Sequence, residues 1–211
     1  MARIDNLLDS GQGGLGSLVF YKMNGKNYVR TKPVHYRDAK SPGQLAQRQR
    51  LQVVTGFVGR FKDLIRVTFA AEAVGRSALQ AAQSVNMRNA LTGEYPNISI
   101  NKSRALLSKG PLPLPLSVSV QVQQGELLIE WENGEEASGT NVYDTLVVMA
   151  LTDDSATGEY RFTDIRRSER QYLWKTARPV SDNNLPDVWI AFRNRQATEM
   201  SDSMYATRNP A

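Results

Sequence analysis

Cysteine is absent from this chain of 211 residues, and histidine occurs once, at His35. Without cysteine the protein can have no disulfide framework, no thiolate nucleophile and no zinc site with sulfur ligands. A lone histidine cannot build an imidazole-based metal centre, and no motif pairs it with a nucleophile. We therefore expect His35 to be an ordinary surface or half-buried side chain, and we predict no catalytic residue, no metal site and no cofactor.

Long hydrophobic runs are also missing. No window approaches the run of about 18 consecutive apolar residues that a membrane-spanning helix requires. Residues 1–9 lack the apolar core of a signal peptide. These absences predict a protein without a membrane partner that is cytoplasmic when it is synthesised, and that can later be incorporated into a particle.

Two short patterns imitate functional motifs. Residues 11–16 match the dinucleotide fingerprint G-x-G-x-x-G, but that fingerprint needs a strand before it and a helix after it. Here a β-hairpin pattern follows, so a flexible hinge is the better interpretation. The acidic run of Glu130, Glu132, Glu135 and Glu136 lacks the spacing of a calcium loop and predicts a solvated strand edge.

The charge of the chain divides at one place. Residues 1–110 carry 17 Lys and Arg against 6 Asp and Glu, and residues 111–211 carry 9 against 15, so a net +11 is followed by a net −6. The seam at residues 110–115 reads Gly-Pro-Leu-Pro-Leu-Pro, which favours a stiff extended connector. We therefore predict two domains, a basic one over residues 1–110 and an acidic one over residues 111–211. Such a dipole can attract an acidic partner, a basic partner or a second copy of the chain.

The basic half predicts three local structures. Residues 1–16 form an arm that ends in a glycine-rich stretch, and β-rich runs at residues 17–22 and 26–31 flank Asn24-Gly25, a preferred pair for a two-residue hairpin turn. A helix begins at Ser41-Pro42 and continues to about residue 66, and a second helix extends from about residue 75 to residue 91. Together these elements predict an arm, a β-hairpin and a helical hairpin.

The acidic half predicts strands. After the seam the hydrophobic period changes to two, beginning with Val118, Val120 and Val122. Seven β-rich runs fit into these last residues, and turn residues separate them. The whole chain is therefore predicted to be α+β, with an antiparallel seven-stranded β-sandwich after the helical hairpin.

The basic residues of the first half are the candidate binding site. Cations interleaved with tyrosines are the side chains that contact phosphates and stack on bases, and the same cations can meet acidic protein or remain solvated without a partner. The candidates for contact with a partner or a nucleic acid are Lys22, Lys26, Tyr28, Arg30, Lys32, Arg37, Lys40, Arg48 and Arg50.

Several segments together resemble an uncharacterised family of unknown function that is abundant in Bacteroidota. They are GSLVFY at residues 16–21, GKNYVRTKP at 25–33, QLAQR at 44–48, NALTGEYP at 89–96, LSKG at 107–110, Trp131, Asp144 and SDSMY at 201–205. The resemblance spans nearly the whole chain and implies kinship without an activity. The C-terminal half is also similar to fibronectin type III and immunoglobulin-like sandwiches, with Trp131 in the second strand, where such folds place a core aromatic residue.

We expect a non-enzymatic structural, assembly or adaptor protein that docks through its basic N-terminal region and presents a β-sandwich. A component of a phage particle or another multi-subunit machine fits this expectation, and such a protein is expected to self-associate or to bind an acidic surface. The alternative is a nucleic-acid-binding protein that uses the basic hairpin and helix. An enzyme is the least favoured class, because no catalytic constellation is present.

Overall fold

The computed structural model describes residues 2–3, 13–33, 38–134, 142–152, 155–181 and 184–208. The chain forms two compact units, Met1–Pro42 and Gly43–Ala211. The first unit is a small sheet, and the second contains the helices and the remaining strands. The predicted α+β class is therefore confirmed.

The first unit is a four-stranded antiparallel sheet with the strand order β1-β4-β3-β2, which we call the front sheet. Its strands are β1 (Ala2–Arg3), β2 (Gly13–Leu15), β3 (Leu18–Met23) and β4 (Lys26–Thr31). The predicted hairpin of β3 and β4 is confirmed, because Asn24 and Gly25 both adopt the positive φ that a two-residue turn needs. The arm predicted over residues 1–16 is corrected in part, since β1 and β2 form the two edges of the same sheet.

Three helices follow, α1 (Pro42–Gly59), α2 (Lys62–Thr68) and α3 (Ala78–Asn89). The first predicted helix begins at Pro42 as expected but is interrupted at residues 60–61, where the N–H of Gly158 donates to the carbonyl oxygen of Arg60. Ser77 and Gln80 form a reciprocal capping box that starts α3. None of the helices in the described part of the chain is both long and apolar enough to cross a membrane.

Two further four-stranded sheets complete the second unit, together with a short pair of strands, β5 (Leu91–Thr92) and β6 (Ser99–Ile100). The middle sheet has the order β10-β9-β12-β13, and the outer sheet has the order β11-β8-β7-β14. The strands of the middle sheet are β9 (Thr145–Leu151), β10 (Glu159–Arg166), β12 (Asp187–Arg193) and β13 (Met204–Tyr205). The strands of the outer sheet are β7 (Pro115–Gln123), β8 (Glu126–Asn133), β11 (Gln171–Trp174) and β14 (Thr207–Arg208).

The predicted count of seven antiparallel strands differs from the structure. The last predicted run is divided into β13 and β14, which join different sheets on either side of Ala206. The N–H of Ala206 donates to the carbonyl oxygen of Val188, and β14 then pairs with β7 in parallel. Eight strands among the described residues therefore form the two larger sheets of this unit, and one of their pairings is parallel.

The middle sheet is buried on both faces. In β9, Leu146 and Val148 point toward the outer sheet, whereas Val147 and Met149 point toward the helices. The helical side contains Phe57, Phe61 and Trp189 in edge-to-face contact. A strand buried on both faces needs a continuous apolar run, and Thr145–Leu151 has one. The second unit therefore has three layers, namely helices, middle sheet and outer sheet.

The charge seam lies within the second unit. The boundary predicted at residue 110 falls between the helices and β7, and the hydrophobic core on the helical side includes both Leu107 and Met200. Two ion pairs join the basic half to the acidic half, one between Lys102 and Asp187 and one between Lys109 and Asp202 at 3.8 Å. The division at residue 110 therefore separates the basic half from the acidic half, but one hydrophobic core contains residues from both halves.

Candidate partner-binding surface

The front sheet has no core of its own. None of residues 13–33 is buried, and three of its large apolar side chains are exposed. Leu15 is 71% exposed, Met23 is 48% exposed and Leu18 is 37% exposed. A small sheet without a packed face is marginal in water, so these side chains form a surface that a partner can cover.

Strand register sorts the front sheet into two faces. Tyr21 is paired with Tyr28, and Val19 is paired with Arg30, so these four side chains share one face. Met23 and Lys26 form the next pair on the same side. We call the face made by Val19, Tyr21, Met23, Lys26, Tyr28 and Arg30 the basic face. The other face contains Leu18, Phe20, Lys22, Asn27, Val29 and Thr31.

An aromatic pair occupies the centre of the basic face. The rings of Tyr21 and Tyr28 stack with centroids 5.5 Å apart and an interplanar angle of 20°. Lys26 and Arg30 flank Tyr28 along β4 at the strand spacing of two residues. This arrangement combines a flat aromatic platform with a cation on each side.

Lys32 extends the basic face beyond the end of β4. Its N–H donates to the carbonyl oxygen of Ser17 at 2.7 Å, so the strand pairing continues for one more residue. Its ammonium group lies above β2, because a Cβ added at Gly14 would be 3.2 Å from Lys32 Nζ. Lys26, Tyr28, Arg30 and Lys32 therefore follow one another at every second position, and we call this series the basic strip.

Residues 13–33 contain four cations and no acidic residue. The cations are Lys22, Lys26, Arg30 and Lys32, and all four are exposed. Among the residues that the structure describes, none of these four takes part in an ion pair. The front sheet therefore carries four positive charges over residues 13–33 that no acidic residue of the same segment balances.

The remaining sequence candidates lie elsewhere. Lys22 is on the face opposite the basic face, and Lys40 is exposed beyond the sheet, with its N–H donating to Asp38 at 3.2 Å. Arg48 and Arg50 are exposed on α1, in the second unit. Arg37 lies outside the described residues. The structure thus brings together Lys26, Tyr28, Arg30 and Lys32 on one surface.

The outer sheet presents a second charged surface. Leu127, Ile129 and Trp131 of β8 point into the core, so the alternate residues of that strand face outward. These outward residues are Glu126, Leu128, Glu130 and Glu132, which we call the acidic strip. Two of its glutamates belong to the predicted solvated strand edge. In the sequence, buried and outward-facing residues alternate from Glu126 onward, and this alternation indicates that the outward residues share one face.

Leu173 adds an apolar neighbour to the acidic strip. It lies opposite Leu128 on the edge strand β11 and is 45% exposed. On the other side of β8, the polar residues Ser117 and Ser119 pair with Glu132 and Glu130. The Oγ of Ser117 donates to a carboxylate oxygen of Glu132 at 3.1 Å. The acidic strip is therefore a polar surface with a small apolar centre.

A buried ion pair lies at one end of the core between the two larger sheets. Arg167 is fully buried, lies 3.5 Å from Asp144 and donates to the carbonyl oxygen of Pro113 at 2.8 Å. Its guanidinium also stacks over the ring of Phe192 at 3.8 Å. Burial raises the pKa of Asp144, and the charge of Arg167 opposes that rise. These contacts hold the pair inside the core and leave it unavailable to a ligand.

A second titratable cluster joins Lys102, in the segment before the seam, to the middle sheet. Asp187 accepts a hydrogen bond from the hydroxyl of Tyr205 at 2.8 Å and pairs with Lys102. Burial, together with the bond to Asp187, raises the pKa of Tyr205 to about 12. The indole N–H of Trp189 donates to the carbonyl oxygen of Lys102 at 3.0 Å. The cluster therefore fixes the segment around Lys102 against the middle sheet.

Two concave regions lie in the second unit, and some of their polar side chains bond to the protein itself. A cavity of about 420 Å³ includes Glu159, whose carboxylate accepts from the N–H of Ala177. A groove of about 530 Å³ lies beside α1 and includes Lys102, which pairs with Asp187, and Gln49, which donates to the carbonyl oxygen of Pro96. The basic face therefore remains the candidate surface, because its cations Lys26 and Arg30 make no ion pair with the described residues.

Comparison with known proteins assigns the chain to a family. A family of unknown function, DUF6266, matches residues 10–207, and the chain belongs to it. None of the curated proteins matches the chain. The match extends into both units and covers the charge seam, so the resemblance to a family of unknown function over nearly the whole chain is confirmed.

Proposed function

We propose that this protein is a non-enzymatic assembly or adaptor protein whose basic face docks onto an acidic surface. The observation that supports this most directly is that the front sheet buries none of residues 13–33. A sheet of this size gains stability when one of its faces is covered, and cations without partners favour a covering surface of negative charge. The exposed Met23, which lies on the basic face, adds apolar area to the same contact.

The second unit serves as the scaffold in this proposal. Its two larger sheets share a core that includes Trp131 and Phe192, whose rings are 5.8 Å apart. Stacked sheets of this kind support kinship with immunoglobulin-like and fibronectin type III sandwiches, which recur in scaffolding and recognition modules. A component of a phage particle or another multi-subunit machine, incorporated after synthesis in the cytoplasm, is the role that this combination favours.

Binding to poly-L-glutamate tests the proposed docking directly. The full chain is expected to bind this acidic probe at low salt and to lose binding as salt increases, because the charges are exposed. The variant Arg30→Glu is expected to bind about tenfold more weakly or worse, since it places a negative charge on the basic face beside Tyr28. Lys22→Glu, with the same charge change on the opposite face, is the matched control. Equal loss in both variants contradicts a specific basic face.

A second candidate function is binding of single-stranded nucleic acid. The observation that favours it is the stacked pair of Tyr21 and Tyr28 with Lys26 and Arg30 beside it. Bases stack on aromatic rings while cations neutralise phosphates, and each stacked base contributes about 1–3 kcal/mol. Tyr28→Ala should then weaken binding of a single-stranded oligonucleotide, and log K should fall steeply with log salt. A salt slope near zero rejects this alternative.

A further inference from the structure

The basic strip and the acidic strip have matching patterns. The basic strip reads cation, aromatic, cation, cation at Lys26, Tyr28, Arg30 and Lys32. The acidic strip reads anion, apolar, anion, anion in the same chain direction along β8. Each strip occupies alternate positions of one strand, so both repeat at about 6.7 Å and extend over about 20 Å.

We propose that the acidic partner is a second copy of this chain, and that the basic strip of one copy lies on the acidic strip of the next with the strands β4 and β8 aligned in parallel. This inference rests on the proposed function, because it names the partner of the same basic face. In that alignment Lys26 meets Glu126, Arg30 meets Glu130 and Lys32 meets Glu132. Tyr28 meets Leu128 at the position where neither strip carries charge.

The centre of this contact is apolar and its surroundings are charged. Tyr21 stacks on Tyr28 in one copy, and Leu173 lies opposite Leu128 in the other. Aromatic and aliphatic side chains at the centre of an interface contribute most of its affinity, while the charged pairs around them fix orientation and partner choice. Both surfaces are sheet faces, which pack on each other with their strands within about 30° of alignment.

Two observations favour a second copy as the occupant. The cations of the basic strip make no ion pair with any residue that the structure describes. Glu132 is exposed, and Glu126 and Glu130 are half-exposed, so carboxylates remain available to a partner. Because the two strips are different surfaces of one chain, each copy can use both of them. The contact is heterologous, and it builds a ring or an open filament rather than a two-fold dimer.

The inference is tested on the full chain with one charge-reversal variant in each strip, first separately and then as a mixture. Sedimentation velocity of the wild type is expected to show association that increases with protein concentration at about 0.01 M salt. Association should weaken at about 0.15 M, as the Debye length falls from about 30 Å to about 8 Å. Arg30→Glu alone and Glu130→Lys alone are each expected to raise the dissociation constant about tenfold or more, because each places like charges opposite each other.

A mixture of the two variants is expected to regain the association of the wild type. Glu at position 30 of one chain then faces Lys at position 130 of the other, and the remaining strips in the mixture are those of the wild type. Lys22→Glu and Asp164→Lys are matched controls, since they make the same charge changes on the opposite face of the front sheet and on β10. Circular dichroism and thermal melting confirm that each variant is folded.

The outcomes separate this inference from the proposed function. Loss of association in both single variants with recovery on mixing supports the second copy as partner. A wild type that stays monomeric at low salt, or a mixture that does not recover, overturns that assignment. If the chain stays monomeric while Arg30→Glu still weakens binding to poly-L-glutamate, the acidic partner is another molecule and the proposed function stands. If that probe is also unaffected, both proposals fail.

Discussion

The hydroxyl of Ser108 donates a hydrogen bond to the carbonyl oxygen of Ser201, 93 residues further along the chain, at 2.7 Å. The same segments are joined by the N–H of Leu107, which donates to the Oγ of Ser203, and by the N–H of Gly110, which donates to Asp202. These bonds attach the seam between the helices and β7 to the end of the middle sheet. Two segments that carry the family resemblance, residues 107–110 and 201–205, therefore hold each other in place.

Removing one of these hydroxyls should destabilise the fold. In Ser203→Ala the N–H of Leu107 loses its acceptor while it remains buried, and an unsatisfied buried group costs about 1–3 kcal/mol. Urea denaturation should show that loss as a lower midpoint with an unchanged slope. Ser99→Ala, an exposed serine on β6, is the control and should change the free energy of unfolding by less than about 0.5 kcal/mol. Equal effects of Ser203→Ala and Ser99→Ala would contradict a stabilising role for the hydrogen bond between Leu107 and Ser203.

Two glycines should respond to alanine in opposite directions. A Cβ added at Gly110 would lie 2.2 Å from the carbonyl oxygen of Met200, so Gly110→Ala must move the backbone of the seam. We expect it to lower the free energy of unfolding by about 1–3 kcal/mol. Gly56 lies within α1, and an added Cβ would meet no atom within 4 Å apart from its chain neighbours and the nearby backbone of its own helix. Gly56→Ala should therefore raise that energy by about 0.5–1 kcal/mol. Thermal melting of the two variants measures the sign of each change in stability. A stabilising effect of Gly110→Ala would show that the seam is not closely packed.

The buried pair of Arg167 and Asp144 should tolerate joint replacement better than the loss of one partner. Asp144→Ala leaves a fully buried guanidinium without its carboxylate, which costs about 3–5 kcal/mol. The double change of Asp144→Leu with Arg167→Met removes both charges and should recover most of that loss. Chemical denaturation of the single and double variants measures the difference. A double variant as unstable as the single one argues that the ion pair itself stabilises the core.

Tyr205 should make the free energy of unfolding fall with pH in the alkaline range. Its pKa is raised from 10.0 to about 12, so between these values the folded chain binds a proton that the unfolded chain has released. The contribution of Tyr205 is therefore fully present below pH about 10 and is lost as pH rises toward 12. Wild type and Tyr205→Phe should show parallel stability curves from pH 7 to 9, and above pH 10 the wild type should lose stability faster. Parallel curves throughout would place the pKa of Tyr205 at its ordinary value.

Local patterns predicted the elements of this fold more fully than their arrangement. Asn24-Gly25 determines a turn by backbone conformation alone, and Pro42 begins a helix for the same kind of local reason. The break at residues 60–61 was not predicted, because Phe57, Phe61 and Leu64 keep helical spacing across it. The break is stabilised by a hydrogen bond from Gly158, about a hundred residues away. Likewise, nothing local indicates that β13 and β14 join different sheets.

The candidate surface was predictable in composition and only partly in geometry. Every second residue from 26 to 32 is a cation or a tyrosine, and this spacing is sufficient to place those residues on one face once a strand is assumed. Lys22 has the same charge but lies at a position of β3 with the opposite orientation, and only the pairing with Asn27 shows this. The acidic strip depends on which face of β8 is buried, a property that its packing against the middle sheet decides.

Carbodiimide cross-linking of an isotope mixture tests the central claim most directly. Unlabelled and heavy-nitrogen-labelled chains are mixed at low salt, treated with a zero-length carbodiimide reagent and analysed by mass spectrometry. We predict links between Lys26 and Glu126 and between Lys32 and Glu132 in which one peptide is labelled and the other is not. If every such link joins two peptides with the same label, the links lie within one chain, and docking of one copy on the next is contradicted. The absence of any link between the two strips would contradict it as well.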